Sequence, residues 1–206
     1  MRISANLPPL GASVFLLCLL SAPVGAQTPP APDALVKSIT QEVTTIVKSD
    51  KDIQAGNTKK VIELVDAKVL PFFNFQRMTQ LALGRNWGKA SADQQKVLVG
   101  EFRTLLVRTY SAALTGFRNQ TIDYKPLRSN PGDAEVNVRT VVNQPRGEPI
   151  TIDYSMEKTA DGWKVFDVSV AGVSLVTNYR EEFSNLTKDT GVDGLIKSLQ
   201  TKNKGA

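Results

Sequence analysis

Hydrophobic residues recur at steps of three and four through the first half of the chain, and at steps of two through much of the second half. The first spacing places apolar side chains on one face of a helix, whereas the second places them on one face of a strand. The change falls near Gly116. A chain with helices first and strands later is predicted to have an α+β fold.

Four helices are predicted ahead of this change, and most have a recognisable start or end. Asp33 is the expected cap of the first helix, and Pro71 and Gly84 end the second and third. Ser91 followed by Gln94 forms a capping box at the start of the fourth. The predicted helices cover residues 33–54, 58–70, 75–83 and 92–117.

Four strands are predicted after the change, separated by turns rich in Pro and Gly. The alternation is clear where Ile150 and Ile152 flank Thr151. One face of a four-stranded antiparallel sheet should therefore be apolar and the other hydrated, with helices packed on the apolar side. The predicted strands cover residues 121–128, 134–143, 149–159 and 163–170, and two C-terminal helices cover about 173–188 and 192–201.

The amino terminus carries the pattern of a secretory signal peptide. Arg2 is followed by an apolar run at 14–20 and by Ala26, a small residue of the kind that precedes a cleavage site. The bulky Leu17 disfavours a lipid anchor on the next residue, Cys18. The expected organisation is a signal peptide at 1–26, a disordered Pro-rich leader at 27–32 and a single domain at 33–206.

The side-chain inventory excludes most kinds of catalytic site. The chain has no His, and its one Cys lies in the predicted signal peptide. Disulfides, thiol catalysis, Cys/His metal sites and imidazole triads are therefore ruled out in the mature protein. Asp123, Asp153 and Asp167 fall on predicted strands without a His, Cys or Ser–Lys companion. We expect no enzyme activity, no cofactor and no metal.

The charge balance bears on the kind of partner. A formal net charge of +5 and a pI of about 9.3 favour anionic partners, such as phospholipid head groups or acidic protein surfaces. Lys and Arg are scattered along the chain without a basic run interleaved with aromatic residues, so nucleic acid is not an expected partner. The alternative is that the basic residues only keep the surface hydrated and bind no particular partner, which explains the charge equally well.

Several segments together resemble the MlaC family, the toluene-tolerance auxiliary proteins, which are periplasmic carriers of phospholipid. The most informative segment is 162–183, where a predicted strand ends at Gly172 and a helix follows. Two positions depart from the family pattern: Ala171 stands where an acidic residue is usual, and Asn86 where an aromatic residue is common. The segments that carry the resemblance lie at 69–73, 77–78, 83–87, 102–114, 163–168 and 172–180.

The resemblance implies an apolar pocket between the sheet and the helices that holds the acyl tails of a phospholipid. By themselves the periodic patterns predict only a buried core, because a closed core and a pocket need the same apolar stripes. The residues that the resemblance assigns to lipid binding are Met78, Leu98, Phe102, Leu105, Leu106, Tyr110, Val136, Val138, Ile152, Tyr154, Met156 and Leu175.

The resemblance further implies a monomeric periplasmic shuttle in intermembrane lipid transport, which maintains the lipid asymmetry of the outer membrane. Its implied partners are an inner-membrane ABC-type lipid transport complex and an outer-membrane lipoprotein–porin complex. An exported carrier of another apolar ligand, such as a hopanoid, a fatty acid or a solvent, is the alternative. Arg139 and Lys164 occupy predicted outward-facing strand positions and are the candidate docking residues.

Two further hypotheses concern particular helices. The predicted helix at 75–83 lies between Pro71 and Gly84, two natural breakpoints, and is a candidate lid. The trio at 178–180 is placed to orient a head group. A structural role is favoured for it, in which Tyr179 contacts the backbone and Arg180 extends along an apolar surface.

Overall fold

The computed structural model describes residues 29–130 and 132–205, and these residues form the predicted α+β fold. The predicted signal peptide lies outside the described residues. The helices are α1 (Pro32–Ser49), α2 (Lys51–Gln54), α3 (Thr58–Lys68), α4 (Phe75–Leu83), α5 (Ala92–Thr115) and α6 (Leu175–Gly205), with 3₁₀ turns at Leu70–Phe72 and Gly84–Lys89. The strands are β1 (Thr121–Tyr124), β2 (Glu135–Asn143), β3 (Ile150–Thr159), β4 (Gly162–Val170) and β5 (Val173–Ser174).

The first predicted helix is in fact two helices, because Asp50 interrupts it. Asp50 has an extended backbone (φ −82°, ψ 113°), and its Oδ1 accepts hydrogen bonds from the backbone N–H groups of Asp52 at 2.8 Å and Ile53 at 3.1 Å. The carboxylate thereby caps α2 instead of continuing α1. The prediction that Asp33 caps α1 is also wrong, since the helix begins at Pro32 after Ala31.

The start of α5 and the division of α6 follow the sequence closely. Gln94 Oε1 accepts from the Ser91 N–H at 2.8 Å, and Ser91 Oγ accepts from the Gln94 N–H at 3.2 Å, which confirms the predicted capping box. Gly191, with φ 71° and ψ −175°, breaks α6 into the two predicted segments. The second segment folds back on the first, where Lys202 forms a salt bridge with Glu182.

The strands form an antiparallel meander in the order β1-β2-β3-β4-β5. Four strands were predicted, and the structure adds the two-residue β5, which is too short to give an alternating pattern. A register shift lies between Ser155 and Met156 on β3, opposite Phe166 of β4. The chain before α4 also joins the β4 edge, because the Asn74 N–H donates to the Val165 carbonyl at 2.8 Å.

Three groups of buried apolar residues hold these layers together. The helical cluster is formed by α4, α5 and α6 and includes Phe102 and Phe183, both fully buried. A second cluster, the amino-terminal cluster, joins α1, α2 and α3 to α5. The sheet cluster joins α1 to β2, β3 and β4. Ile39, Phe73 and Phe75 each pack against two of these clusters and so connect them.

Helix α4 is part of the core, which argues against the hypothesis that it is a mobile lid. Met78, Thr79 and Ala82 are almost completely buried in its inner face. Arg180 of α6 donates to the Leu81 carbonyl at 2.9 Å and so satisfies an acceptor near the end of α4. An element with this much buried surface is costly to displace.

The turn between β4 and β5 requires an unusual backbone conformation at Ala171. Val170 pairs with Val173, so Ala171 and Gly172 alone form the turn, with φ of 50° and 83°. Positive φ at both central residues defines a type I′ turn, which favours Asn-Gly or Asp-Gly. Ala171 is the only residue other than Gly with positive φ in the part of the chain described.

We predict that Ala171→Asn stabilises the protein by about 1 kcal/mol, because Asn tolerates the left-handed conformation that Ala adopts at a cost. The measurement is the midpoint of urea unfolding of the lipid-free protein. Ala160→Asn, in the exposed turn between β3 and β4, is the matched control because its φ is not positive. An equal rise in both variants would contradict the explanation.

Candidate functional site

The sheet register arranges the inward-facing side chains in rows that run across the strands. Side chains alternate between the two faces of a strand, so residues paired in register share a face. Four rows cover the inner face. From one end of the sheet to the other they are Ile122–Val142–Ile150, Tyr124–Thr140–Ile152–Val170, Val138–Tyr154–Val168 and Val136–Met156–Val165.

One end of this face is closed by protein. Met156 is 0% exposed and Val165 is 4% exposed, and both belong to the sheet cluster. Leu35 and Val36 of α1 cover them together with the segment before α4, represented by Phe73. This packed end is an ordinary hydrophobic core, with space filled by the protein's own side chains.

The other end of the face is apolar but only partly covered. Its five aliphatic residues all remain half-buried, and none belongs to or packs against the three core clusters of the described chain. We call this set the open patch; it consists of Ile122, Val142, Ile150, Ile152 and Val170. An apolar surface left accessible beneath a layer of helices is the usual form of a site for an apolar ligand.

Helix α5 packs mainly on other helices. Its backbone packs extensively on α3, α4 and α6, whereas the helices whose backbones pack most extensively on strands are α1, α4 and α6. Tyr110 on α5 is 38% exposed, and Leu175 at the start of α6 is half-buried. Neither residue packs into a core cluster, so apolar side chains on the helix side are also incompletely covered.

Hydroxyl groups separate the open patch from the packed end. Tyr124 Oη and Thr40 Oγ1 are 2.8 Å apart, which links β1 to α1. Burial raises the pKa of Tyr154 above its ordinary value, an effect partly offset by its hydrogen-bonding contact with Thr140. Thr140 itself is 1% exposed. We call these four residues the hydroxyl belt; they lie across the middle of the inner face.

Tyr179 and Arg180 of the trio at 178–180 make structural contacts, although not the contacts expected from the sequence. Tyr179 is buried among aromatic rings, with its centroid 5.2 Å from Phe102 and 5.6 Å from Phe183. Burial, and secondarily the nearby Tyr179, raises the pKa of Tyr110. Because Arg180 is bonded to the α4 carbonyl described above, its guanidinium serves to hold two helices together.

The twelve predicted lipid-binding residues do not form one wall. Met78, Leu98, Phe102, Leu105 and Leu106 are buried in the helical cluster. Val138 and Met156 are buried in the sheet cluster, against which Val136 and Tyr154 pack while remaining half-buried. Tyr110, Ile152 and Leu175 lie outside all three clusters. The structure therefore separates residues that the resemblance had grouped.

Four residues of the open patch were absent from the predicted set: Ile122, Val142, Ile150 and Val170. Their alternation with polar neighbours marks them as inward-facing, so the signal for an apolar face was present in the sequence. The alternation could not show that these four residues, and not the other inward-facing residues of the sheet, would remain accessible. Only the packing of α1 and the segment before α4 shows which end remains open.

The two candidate docking residues lie on the hydrated side of the sheet and are both engaged by neighbours. Arg139 forms a bidentate salt bridge to Asp153, with Nε–Oδ1 at 2.6 Å and Nη2–Oδ2 at 3.1 Å. Lys164 Nζ donates to the Pro71 carbonyl at 2.7 Å. Both side chains are partly solvent-accessible, and their role in docking stays a prediction.

A second polar arrangement, not predicted from the sequence, attaches α4 to the hydrated face. Arg77 pairs with Glu157 at 2.5 Å and Glu135 at 2.6 Å, and its guanidinium lies 3.7 Å from the centre of the Phe166 ring. Asn74 Nδ2 also donates to Glu157 at 2.8 Å. These groups border a surface cleft of about 500 Å³. Because Arg77 bridges two carboxylates and stacks on the Phe166 ring, α4 is held in a fixed position.

An α+β fold with a half-covered apolar sheet face defines a small binding protein for an apolar molecule. Comparison with known families gives a more specific result. The family described as MlaC protein matches residues 37–201, which is most of the chain. The protein therefore belongs to the MlaC family.

Individual relatives agree with this assignment. A solved structure of a phospholipid-binding protein from Ralstonia solanacearum, in complex with a phospholipid, is 41% identical, with a TM-score of 0.80 over 85% of this chain and 98% of that one. The intermembrane phospholipid transport system binding protein MlaC of Haemophilus influenzae is 27% identical over 72% of this chain and 74% of the relative. The toluene tolerance protein ttg2D of Pseudomonas putida is 25% identical over 86% of this chain and 83% of the relative.

The division between core and open patch predicts different costs of truncation. Leu106→Ala should destabilise the lipid-free protein by about 2–5 kcal/mol, because it leaves a cavity in the helical cluster. Ile152→Ala should cost clearly less, since its side chain already borders accessible space. Urea unfolding of delipidated variants measures both changes. Equal losses would show that Ile152 is as tightly packed as Leu106.

Proposed function

We propose that the protein binds a phospholipid with its acyl tails between the open patch of the sheet and helix α5. The observation that carries the proposal is the half-buried state of the five open-patch residues, on the same sheet face that α1 covers at its other end. Tyr110 and Leu175 contribute the opposite wall. The phospholipid in the Ralstonia relative, at 41% identity, supports this class of ligand over another apolar molecule.

The energetics favour recognition of the tails over recognition of the head group. Two acyl tails contain about 30 methylenes, and each contributes about 0.8 kcal/mol when it is removed from water. The free energy gained by removing the tails from water is large enough that binding needs few head-group contacts. It also makes spontaneous release into water slow, so delivery requires a partner that deforms the pocket.

The cellular role that follows is a periplasmic shuttle in intermembrane lipid transport. The name of the Haemophilus relative supports this role. Its proposed partners are an inner-membrane ABC-type complex and an outer-membrane lipoprotein–porin complex, and the shuttle would help maintain outer-membrane lipid asymmetry. In the part of the chain that the structure describes, no helix combines the length and apolar character needed to cross a membrane.

Native mass spectrometry of the protein purified from its own host tests the proposed ligand directly. We expect a bound mass equal to that of a diacyl phospholipid, confirmed by lipid extraction. A hopanoid, a single fatty acid or a solvent molecule in its place would favour the alternative ligand. Incubation with labelled phospholipid should release no fatty acid, because no nucleophile–base pair is expected.

Placement of a carboxylate on either face of β3 provides a matched test of the pocket. Ile152→Asp should reduce bound phospholipid about tenfold or more, because an ionised group in contact with tails loses its hydration. Thr151→Asp is the control, since Thr151 is the next residue and faces the hydrated side. Lipid is quantified per mole of protein, with circular dichroism to establish folding. A folded Ile152→Asp variant with full occupancy would place Ile152 outside the pocket.

The basic charge of the chain is proposed to steer the shuttle toward a membrane complex. Steering acts mainly on the association rate, and salt screens it over about 10 Å at 0.1 M. The docking rate, measured by stopped flow, should therefore fall as salt rises while lipid occupancy stays constant.

Charge reversal of Arg139 and Lys164 should slow docking further without emptying the pocket. The control reverses Arg146 and Lys204, which lie in the β2–β3 turn and at the end of α6, so that net charge changes equally. Equal slowing by both pairs would indicate a diffuse effect of net charge. If the docking rate changes neither with salt nor on charge reversal of either pair, the basic surface serves only to keep the protein solvated.

A further inference from the structure

The hydroxyl belt coincides with the boundary between filled and accessible space on the inner face. On one side of it, Val138 and Met156 are 2% and 0% exposed. On the other side, Ile152 and the rest of the open patch are half-buried and outside every core cluster of the described chain. Tyr154 occupies this boundary on β3, with Val138 and Val168 beside it in the same row.

The boundary is held from several sides. Thr40 Oγ1 contacts Tyr124 Oη at 2.8 Å and also donates to the Val36 carbonyl at 2.8 Å, which fixes α1 over the belt. Val36 in turn packs in the sheet cluster, against which Tyr154 also packs. Displacing the Tyr154 ring toward the packed end would require rearrangement of a close-packed core.

The chemistry of the belt is compatible with an apolar ligand. A buried hydroxyl without a partner is costly, but Tyr124 is paired with Thr40 and Tyr154 contacts Thr140. The phenol oxygen of Tyr124 is therefore satisfied by the protein, and both rings remain as apolar surface for a tail. Tyr154 is thus suited to act as a firm, largely apolar end wall.

We propose that Tyr154, supported by Tyr124 and Thr40, closes the inner end of the tail pocket and sets the longest acyl tail that the protein accepts. This inference rests on the proposed function, because it assigns a selectivity to the same pocket. Tails that lie along the open patch reach the Tyr154 ring and cannot extend into the space occupied by Met156 and Val138. The protein therefore selects tail length by sterics while remaining indifferent to the head group.

The test is a competition among synthetic diacyl phosphatidylglycerols that differ only in tail length. Delipidated wild-type protein and variants are incubated with an equimolar mixture, and bound species are identified by native mass spectrometry. Tyr154→Ala should shift the preferred tail by about two carbon atoms or more. Truncation removes about seven side-chain atoms, and the vacated space would otherwise remain a void.

Two further variants distinguish the contribution of the ring from that of its hydroxyl, and keep the test possible if Tyr154→Ala does not fold. Tyr154→Phe keeps the ring and should retain the wild-type length preference. Tyr154→Leu preserves much of the packing but shortens the side chain, so it should shift the preference toward longer tails even if the Ala variant does not fold. Phe183→Leu, a matched truncation of an aromatic ring buried in the helical cluster, is a control for general loosening of the protein and should not extend the tail limit.

The outcomes distinguish this inference from the proposed function. A shift toward longer tails in Tyr154→Leu or Tyr154→Ala, absent in Tyr154→Phe and Phe183→Leu, supports Tyr154 as the end wall. An unchanged preference in folded Tyr154→Leu, or an equal shift in Tyr154→Phe, overturns it while phospholipid binding stands. Wild-type protein that binds none of the lipids overturns the proposed function itself.

Discussion

The unequal covering of one sheet face is the constraint on which the rest of this structure depends. A four-row apolar face would ordinarily be buried along its whole length, because each exposed apolar area costs free energy in water. Here α1 and the segment before α4 cover only the end around Met156. The remaining helices bury their apolar residues mainly against one another. The open patch is the consequence.

This arrangement requires a rigid frame, since a flexible one would collapse onto its own apolar surface. Helix α4 is fixed at its start by Arg77 and Asn74 on the hydrated side of the sheet, and near its end by Arg180. The hydroxyl belt fixes α1 at Thr40. Polar contacts of defined geometry therefore fix the positions of α1 and α4 relative to the sheet, a task that non-directional apolar packing performs poorly.

The fold class and most element boundaries could be predicted from the sequence, because they depend on local chemistry. The α5 capping box, the helix at 75–83 and the break near Gly191 required only neighbouring residues. The errors were also local in origin. Asp50 caps a new helix where the hydrophobic pattern continued, and β5 is too short to carry a pattern. Family membership could also be recognised without the structure, since it depends only on the amino-acid sequence.

The sequence by itself determined that one sheet face is apolar, and that the chain contains no His and a single Cys. Only the tertiary structure decided which apolar residues face accessible space. Leu106 and Ile152 are equally hydrophobic and equally periodic, yet one is sealed in the helical cluster and the other borders the open patch. The physical reason is that burial depends on what packs opposite a side chain, and periodicity records only the direction in which it points.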